Sequence, residues 1–151
     1  MIRKLIIPLF VTLIASLLFP GVQAAYAHEE HIHAHAAIDI KPGSDPNAVN
    51  IKNRGLIPVA LLGSAIFEVE NVDVSSVQFG SMCPHMHDEV RVAHPLGYAF
   101  EDVNSDGYVD LLFQFDTQSV GLQPGDTEAH LHGALTDGSH FCGHDTVKVI
   151  G

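Results

Sequence analysis

Val109-Asp110-Leu111-Leu112-Phe113-Gln114-Phe115-Asp116 is the stretch that decides the fold. Val109, Leu111, Phe113 and Phe115 share one parity. Asp110, Gln114 and Asp116 share the other, with Leu112. Successive side chains of a strand point to opposite faces, so this pattern predicts a β-strand with one face buried. The segments on either side read the same way. Leu96-Gly97-Tyr98-Ala99-Phe100 alternates before it. Glu128, His130 and His132 alternate with Ala129, Leu131 and Gly133 after it. Ile38 and Ile40 alternate with Asp39 and Lys41. Residues 57–62 are apolar on both parities, which predicts a central strand. Val72-Asp73-Val74 and Val77-Gln78-Phe79 are shorter alternating pieces, and Val147 with Val149 predicts a last strand.

The connectors are turn-rich. Lys41-Pro42-Gly43-Ser44-Asp45-Pro46-Asn47 is one, and Asp137-Gly138 is a hairpin signal. No segment keeps a helical period, there is no internal repeat, and 13 glycines and 8 prolines punctuate the pieces. Seven to nine short strands are expected. They predict an all-β fold, a single antiparallel β-sandwich of immunoglobulin-like kind, with a small barrel as the alternative.

The chain has 151 residues, which fits one domain and excludes a two-domain enzyme. Its formal charge of −11 argues against nucleic acid as a partner, because a phosphate backbone needs a basic face. Arg3 and Lys4 precede an apolar run over residues 5–19, then Pro20, Gly21 and Ala25-Tyr26-Ala27. This is the layout of a secretory signal peptide over residues 1–27, cleaved after Ala27 or after Ala24. An uncleaved N-terminal anchor is the alternative. No cysteine lies near the cleavage region for a lipid anchor, and no later segment is long and apolar enough to span a membrane. A secreted or periplasmic location follows. Residues 28–35 are expected to be a flexible histidine-rich segment, and residues 36–151 the folded domain.

The most specific motif is Asp102-Val103-Asn104-Ser105-Asp106-Gly107-Tyr108-Val109-Asp110. Oxygen side chains fall at positions 1, 3, 5 and 9, through Asp102, Asn104, Asp106 and Asp110. Gly107 stands where the chain must turn, and Tyr108 can offer its carbonyl. Such spacing wraps hard oxygen donors around Ca²⁺. Position 12 is Phe113, so the bidentate glutamate of an EF-hand is missing. The loop resembles the calcium loops of dockerins and, more closely, those of FG-GAP repeats, where the loop runs straight into a strand. A wider set also resembles a module of secreted bacterial proteins: Ile38-Asp39-Ile40-Lys41-Pro42-Gly43, Ile57-Pro58-Val59-Ala60-Leu61-Leu62-Gly63, Glu101-Asp102-Val103-Asn104 and Gly125-Asp126-Thr127-Glu128-Ala129. That resemblance implies an extracellular calcium-holding β-sandwich and supplies no activity.

Eleven histidines fall largely into three sets. His28, His31, His33 and His35 form an N-terminal set. His85, Met86 and His87 follow Cys83, with His94 further on. His130, His132, His140 and His144 surround Cys142. Imidazole and sulfur donors suit copper or zinc. In an oxidising compartment Cys83 and Cys142 most simply form a disulfide, which would join the second and third sets; thiolate ligation of a metal is the alternative. A two-residue turn at Asp137-Gly138 would set Leu131 opposite His144, whereas a three-residue turn would set His132 there. The sequence does not choose.

The expected function is a secreted calcium-binding protein with a structural, adhesive or binding role and a second copper or zinc site. One alternative is a periplasmic or extracellular copper or zinc carrier. Another is a self-assembling surface or filament subunit, in which the N-terminal segment pairs with a neighbour's sheet edge, giving a homo-oligomer or a cell-surface partner. Catalysis is not expected. The enzymatic alternative is a copper-dependent oxidoreductase, with His28 as a free N-terminus.

Overall fold

The structure is a computed structural model that describes residues 33–83 and 91–151. The expected signal peptide, His28, His31, His85, Met86 and His87 lie outside the described residues. The chain is all-β. One sheet has five strands, in the order β1 (His33–His35), β10 (His140–Thr146), β9 (Glu128–Leu135), β5 (Val72–Gly80) and β6 (Val92–Ala93). The other has four, in the order β2 (Ile38–Ile40), β4 (Leu56–Leu61), β8 (Asp110–Asp116) and β7 (Gly97–Glu101). A third, minor pairing joins β3 (Ala48–Asn50) to β11 (Lys148–Ile150). The only helical turn among the described residues is a 3₁₀ segment at Val69–Asn71.

The two main sheets face each other as a sandwich, and the alternating residues explain why. Leu111, Phe113 and Phe115 of β8 are fully buried, with Val59 and Leu61 of β4 beside them. From the five-stranded sheet come Val77, Phe79, Leu131 and Phe141, equally buried. Phe79 and Phe115 meet across the interior with ring centroids 5.1 Å apart. Each such side chain contributes about 1.5–3 kcal/mol by leaving water. The doubly apolar β4 is indeed central, lying between β2 and β8. Val109 departs from the pattern and is exposed, because β8 begins only at Asp110.

Three expectations need correction. First, the sheets are not wholly antiparallel: β1 pairs with β10, and β3 with β11, in parallel. Second, the sandwich begins earlier than Ala36. His33, Ala34 and His35 pair with His140, Phe141 and Cys142, and Ala34 packs against the core. Third, neither anticipated hairpin register occurs. The turn spans three residues, Thr136 to Gly138, and starts one residue earlier than expected. Gly138 N–H donates to the Leu135 carbonyl at 2.9 Å, and Leu135 N–H to that of Ser139 at 2.8 Å. Gly138 takes a φ of 87°, the left-handed conformation that such a loop requires. This register sets His130 opposite His144 and His132 opposite Cys142.

The two short pieces around Val72 and Val77 prove to be one strand interrupted by a bulge between Asp73 and Gln78. Ser76 repairs the ladder there: its hydroxyl accepts the Ala134 N–H at 2.7 Å and donates to the Asp73 carbonyl at 2.7 Å.

Where the chain passes from one sheet to the other, Asp145 holds the seam. Its carboxylate accepts from Ile40 N–H and from Asn47 Nδ2, both at 2.9 Å. Asp39 stands nearby, and partial burial, then repulsion from Asp145, raise its carboxyl above the ordinary range. A carboxylate raised on folding weakens the fold while it is charged. That penalty is present at neutral pH and fades as pH falls through the raised value. Asp39→Asn is therefore expected to raise the melting temperature at pH 7, with the gain over the parent shrinking in acid. Melts across that pH range check it, and a gain independent of pH would contradict it.

Candidate functional site

Two places carry chemistry. The first is the loop between β7 and β8. It folds around the carboxylate of Asp102, which accepts Asp106 N–H at 3.2 Å through Oδ1 and Gly107 N–H at 3.0 Å through Oδ2. Asn104 Oδ1 accepts Asp106 N–H at 3.0 Å, and Asp106 Oδ1 accepts Tyr108 N–H at 2.9 Å. The turn needs left-handed backbone at Ser105 (φ 61°) and Gly107 (φ 90°). Glycine adopts it freely, and serine does so at a cost. Asp102, Asn104 and Asp106 are thus wound into one turn, exposed to solvent.

Asp110 is different: it is fully buried. Its Oδ2 accepts Val103 N–H at 2.9 Å and its Oδ1 accepts Gly63 N–H at 2.8 Å. The position-9 acid therefore ties the loop to the end of β4. A Cβ at Gly63 would collide with the Val109 carbonyl, so only glycine allows this approach. Each carboxylate oxygen has two lone pairs, which leaves Asp110 acceptor capacity for an ion. The sequence marks Asp110 by spacing but not by burial, and it gives no direct sign of Gly63.

The second place is the outer face of the five-stranded sheet. Cys83 and Cys142 form a disulfide, with Cα atoms 6.5 Å apart. Beside it lies a cleft of about 350 Å³, lined by His35, His130, His144 and Met82 together with the disulfide. The His130 and His144 rings are 5.6 Å apart between centroids, and those of His35 and His144 are 5.5 Å apart. His130 Nδ1 lies 3.8 Å from Cys83 Sγ. Among the described residues, Cys83, His130 and Cys142 are the one group of three histidine, cysteine or acidic side chains whose donor atoms all lie within 4.8 Å of one another. No three carboxylates of the loop meet that condition.

Burial first, and then the neighbouring His144, lower the pKa of His130, with Glu128 opposing. At neutral pH this favours the neutral imidazole, the form that ligates metals. The structure brings together His130 and His144 from the expected set. It places His132 opposite Cys142 and His140 opposite His33. It adds His35, which the sequence placed in a loose tail. His94 turns to β5 instead, with Nδ1 3.2 Å from the Val77 carbonyl oxygen and Nε2 3.3 Å from Gln78 Nε2.

Comparison of the chain with protein-family models and with curated proteins gives no match. No helix among the described residues is long and apolar enough to cross a membrane.

Proposed function

We propose that the protein is an exported, calcium-stabilised β-sandwich with a binding or structural role rather than a catalytic one. The observation that carries this reading is the winding of Asp102, Asn104 and Asp106 into one turn whose base is the buried Asp110. Four oxygen-bearing side chains at the spacing of a calcium loop, with Tyr108 adding its carbonyl, suit a hard cation. Calcium also offsets the mutual repulsion of these acids in a chain of formal charge −11. The disulfide supports a non-reducing compartment, in agreement with the N-terminal pattern. Extracellular calcium modules bind with Kd on the order of 10⁻⁴–10⁻³ M. At millimolar calcium the melting temperature is expected to exceed that in a chelator, and in Asp106→Ala the difference should vanish. A parent melt indifferent to calcium overturns the reading.

The histidine face favours a second reading, a copper or zinc carrier, through the imidazoles gathered beside the disulfide. Elemental analysis of untagged, natively exported protein separates the two. Calcium without stoichiometric transition metal removes the carrier.

The assembly reading has less support. The described part of the N-terminal segment, His33–His35, pairs with β10 of its own chain.

A further inference from the structure

We infer that Cys83, His130 and Cys142 form a redox-gated site for zinc(II), which binds when the cysteine pair is reduced and leaves when the disulfide forms. The inference goes beyond both readings above. It concerns the reduced chain, and it needs neither the calcium loop nor a metal on the oxidised imidazoles. The fold brings the three donors together from separate elements. Gly80 of β5 pairs with His130 of β9, and Cys83 follows shortly after, so the chain leaving β5 carries its sulfur to that imidazole. Cys142 of β10 pairs with His132, and so stands diagonal to His130 on the same face. The donor atoms of the three all lie within 4.8 Å of one another, and His130 Nδ1 is 3.8 Å from Cys83 Sγ. Zinc binds thiolate sulfur at about 2.3 Å and imidazole nitrogen at about 2.0–2.1 Å, so tetrahedral angles set the two roughly 3.6 Å apart. The observed nitrogen–sulfur separation is close to that.

The sulfurs decide when the site exists. A disulfide sulfur carries no thiolate charge and ligates poorly, so in the oxidised chain His130 is the one good donor of the three. Reduction frees both sulfurs. Two sulfurs on one zinc stand about 3.8 Å apart, a separation that side-chain rotation reaches from Cα atoms 6.5 Å apart. Two thiolates and one imidazole, with a fourth position open to the cleft, suit zinc(II) and not calcium.

Both cysteines are half-buried and line the cleft, so a reductant can reach them. A dithiol attacks the disulfide, supplies two electrons and two protons, and leaves as its own cyclic disulfide. Zinc then displaces both thiol protons. A disulfide oxidant takes the two electrons back, leaves as two thiols or thiolates, and re-forms the Cys83–Cys142 bond. The zinc is released with its charge unchanged. Bridge and ion are therefore alternatives at one place, and either one ties the end of β5 to β10.

The test titrates zinc(II), against a competing chromophoric chelator, into the metal-free exported protein. The protein is taken oxidised, and again after reduction by a dithiol that is then removed. His130→Ala, the double variant Cys83→Ala with Cys142→Ala, and the control His94→Ala are treated in the same way. The reduced parent is expected to bind one zinc per chain, with release of about two protons per ion at pH 7. A small disulfide oxidant should then eject the ion. Affinity should be at least about a hundredfold weaker in the oxidised parent and the double variant, and at least about tenfold weaker in reduced His130→Ala, since even outer-shell changes cost 10–100-fold. His94→Ala should match the parent. Cobalt(II) in place of zinc should give thiolate charge-transfer absorption in the reduced parent and none in the oxidised one. Far-UV circular dichroism follows folding, and His130→Ala keeps both cysteines, so its oxidised form is a folded reference. Equal affinity in oxidised and reduced parent overturns this site and leaves the carrier reading standing. Binding unchanged in reduced His130→Ala, or zinc held by a reduced chain without native dichroism, also overturns it. No stoichiometric binding in either form overturns both.

Discussion

Asp110→Ala is expected to destabilise the protein by about 3–5 kcal/mol even without calcium. The carboxylate is fully buried and holds the N–H groups of Gly63 and Val103. Alanine leaves both donors without their acceptor, and an unsatisfied buried group costs roughly 1–3 kcal/mol. A cavity of carboxylate size adds to this. Single domains are stable by only about 5–15 kcal/mol, so the variant stands near the edge of folding. Urea titration should show a much lower midpoint with a similar slope. The contrast with Asp106→Ala is the informative part. Asp106 is exposed and accepts N–H bonds only within its own turn, so its loss should matter only when calcium is present. If Asp110→Ala merely cancels the calcium effect and leaves the calcium-free midpoint unchanged, the seam to β4 contributes little.

The two acids differ because they belong to different levels of the structure. The spacing of Asp102, Asn104, Asp106 and Asp110 is a local property, and the turn follows it residue by residue. The burial of Asp110 is a tertiary property, since Gly63 lies 47 positions away in sequence. The same division runs through the fold. β8 and β4 were legible because their apolar residues alternate or run together. β1 was not, since His33-Ala34-His35 has one small apolar residue, and its strand form comes from backbone pairing with β10. β5 read as two pieces because a bulge shifts the register between Asp73 and Gln78. The histidine cleft was legible as a composition but not as a set of partners. One residue of difference in where the hairpin turn begins exchanges His132 for His130 opposite His144. Turn composition alone does not fix that starting point, because Asp137-Gly138 suits both a two-residue and a three-residue loop.

Reduction of the Cys83–Cys142 disulfide carries the second large effect. The bridge closes a loop with a sequence separation of 59, from just beyond the end of β5 into β10. Loop-closure entropy for such a separation corresponds to about 4 kcal/mol. The fold itself gives no reason for collapse on reduction: the aromatic core of Phe79, Phe113, Phe115 and Phe141 does not include either cysteine. The reduced protein, and Cys83→Ala with Cys142→Ala, should therefore fold with a lower urea midpoint. Metal then distinguishes the reduced protein from the double variant. Reduction by a dithiol gives two thiols, with their sulfurs in the same group of donor atoms as His130. Thiolates favour zinc and copper(I) where the disulfide did not. Zinc added to the reduced protein is expected to release protons and recover part of the lost stability, because ligand binding to the native state stabilises it by mass action. The double alanine variant has the same open loop and no thiolates, so zinc should recover markedly less there. Equal recovery in the two would show that the cysteines act only as a covalent tie, and that the imidazoles alone take the ion.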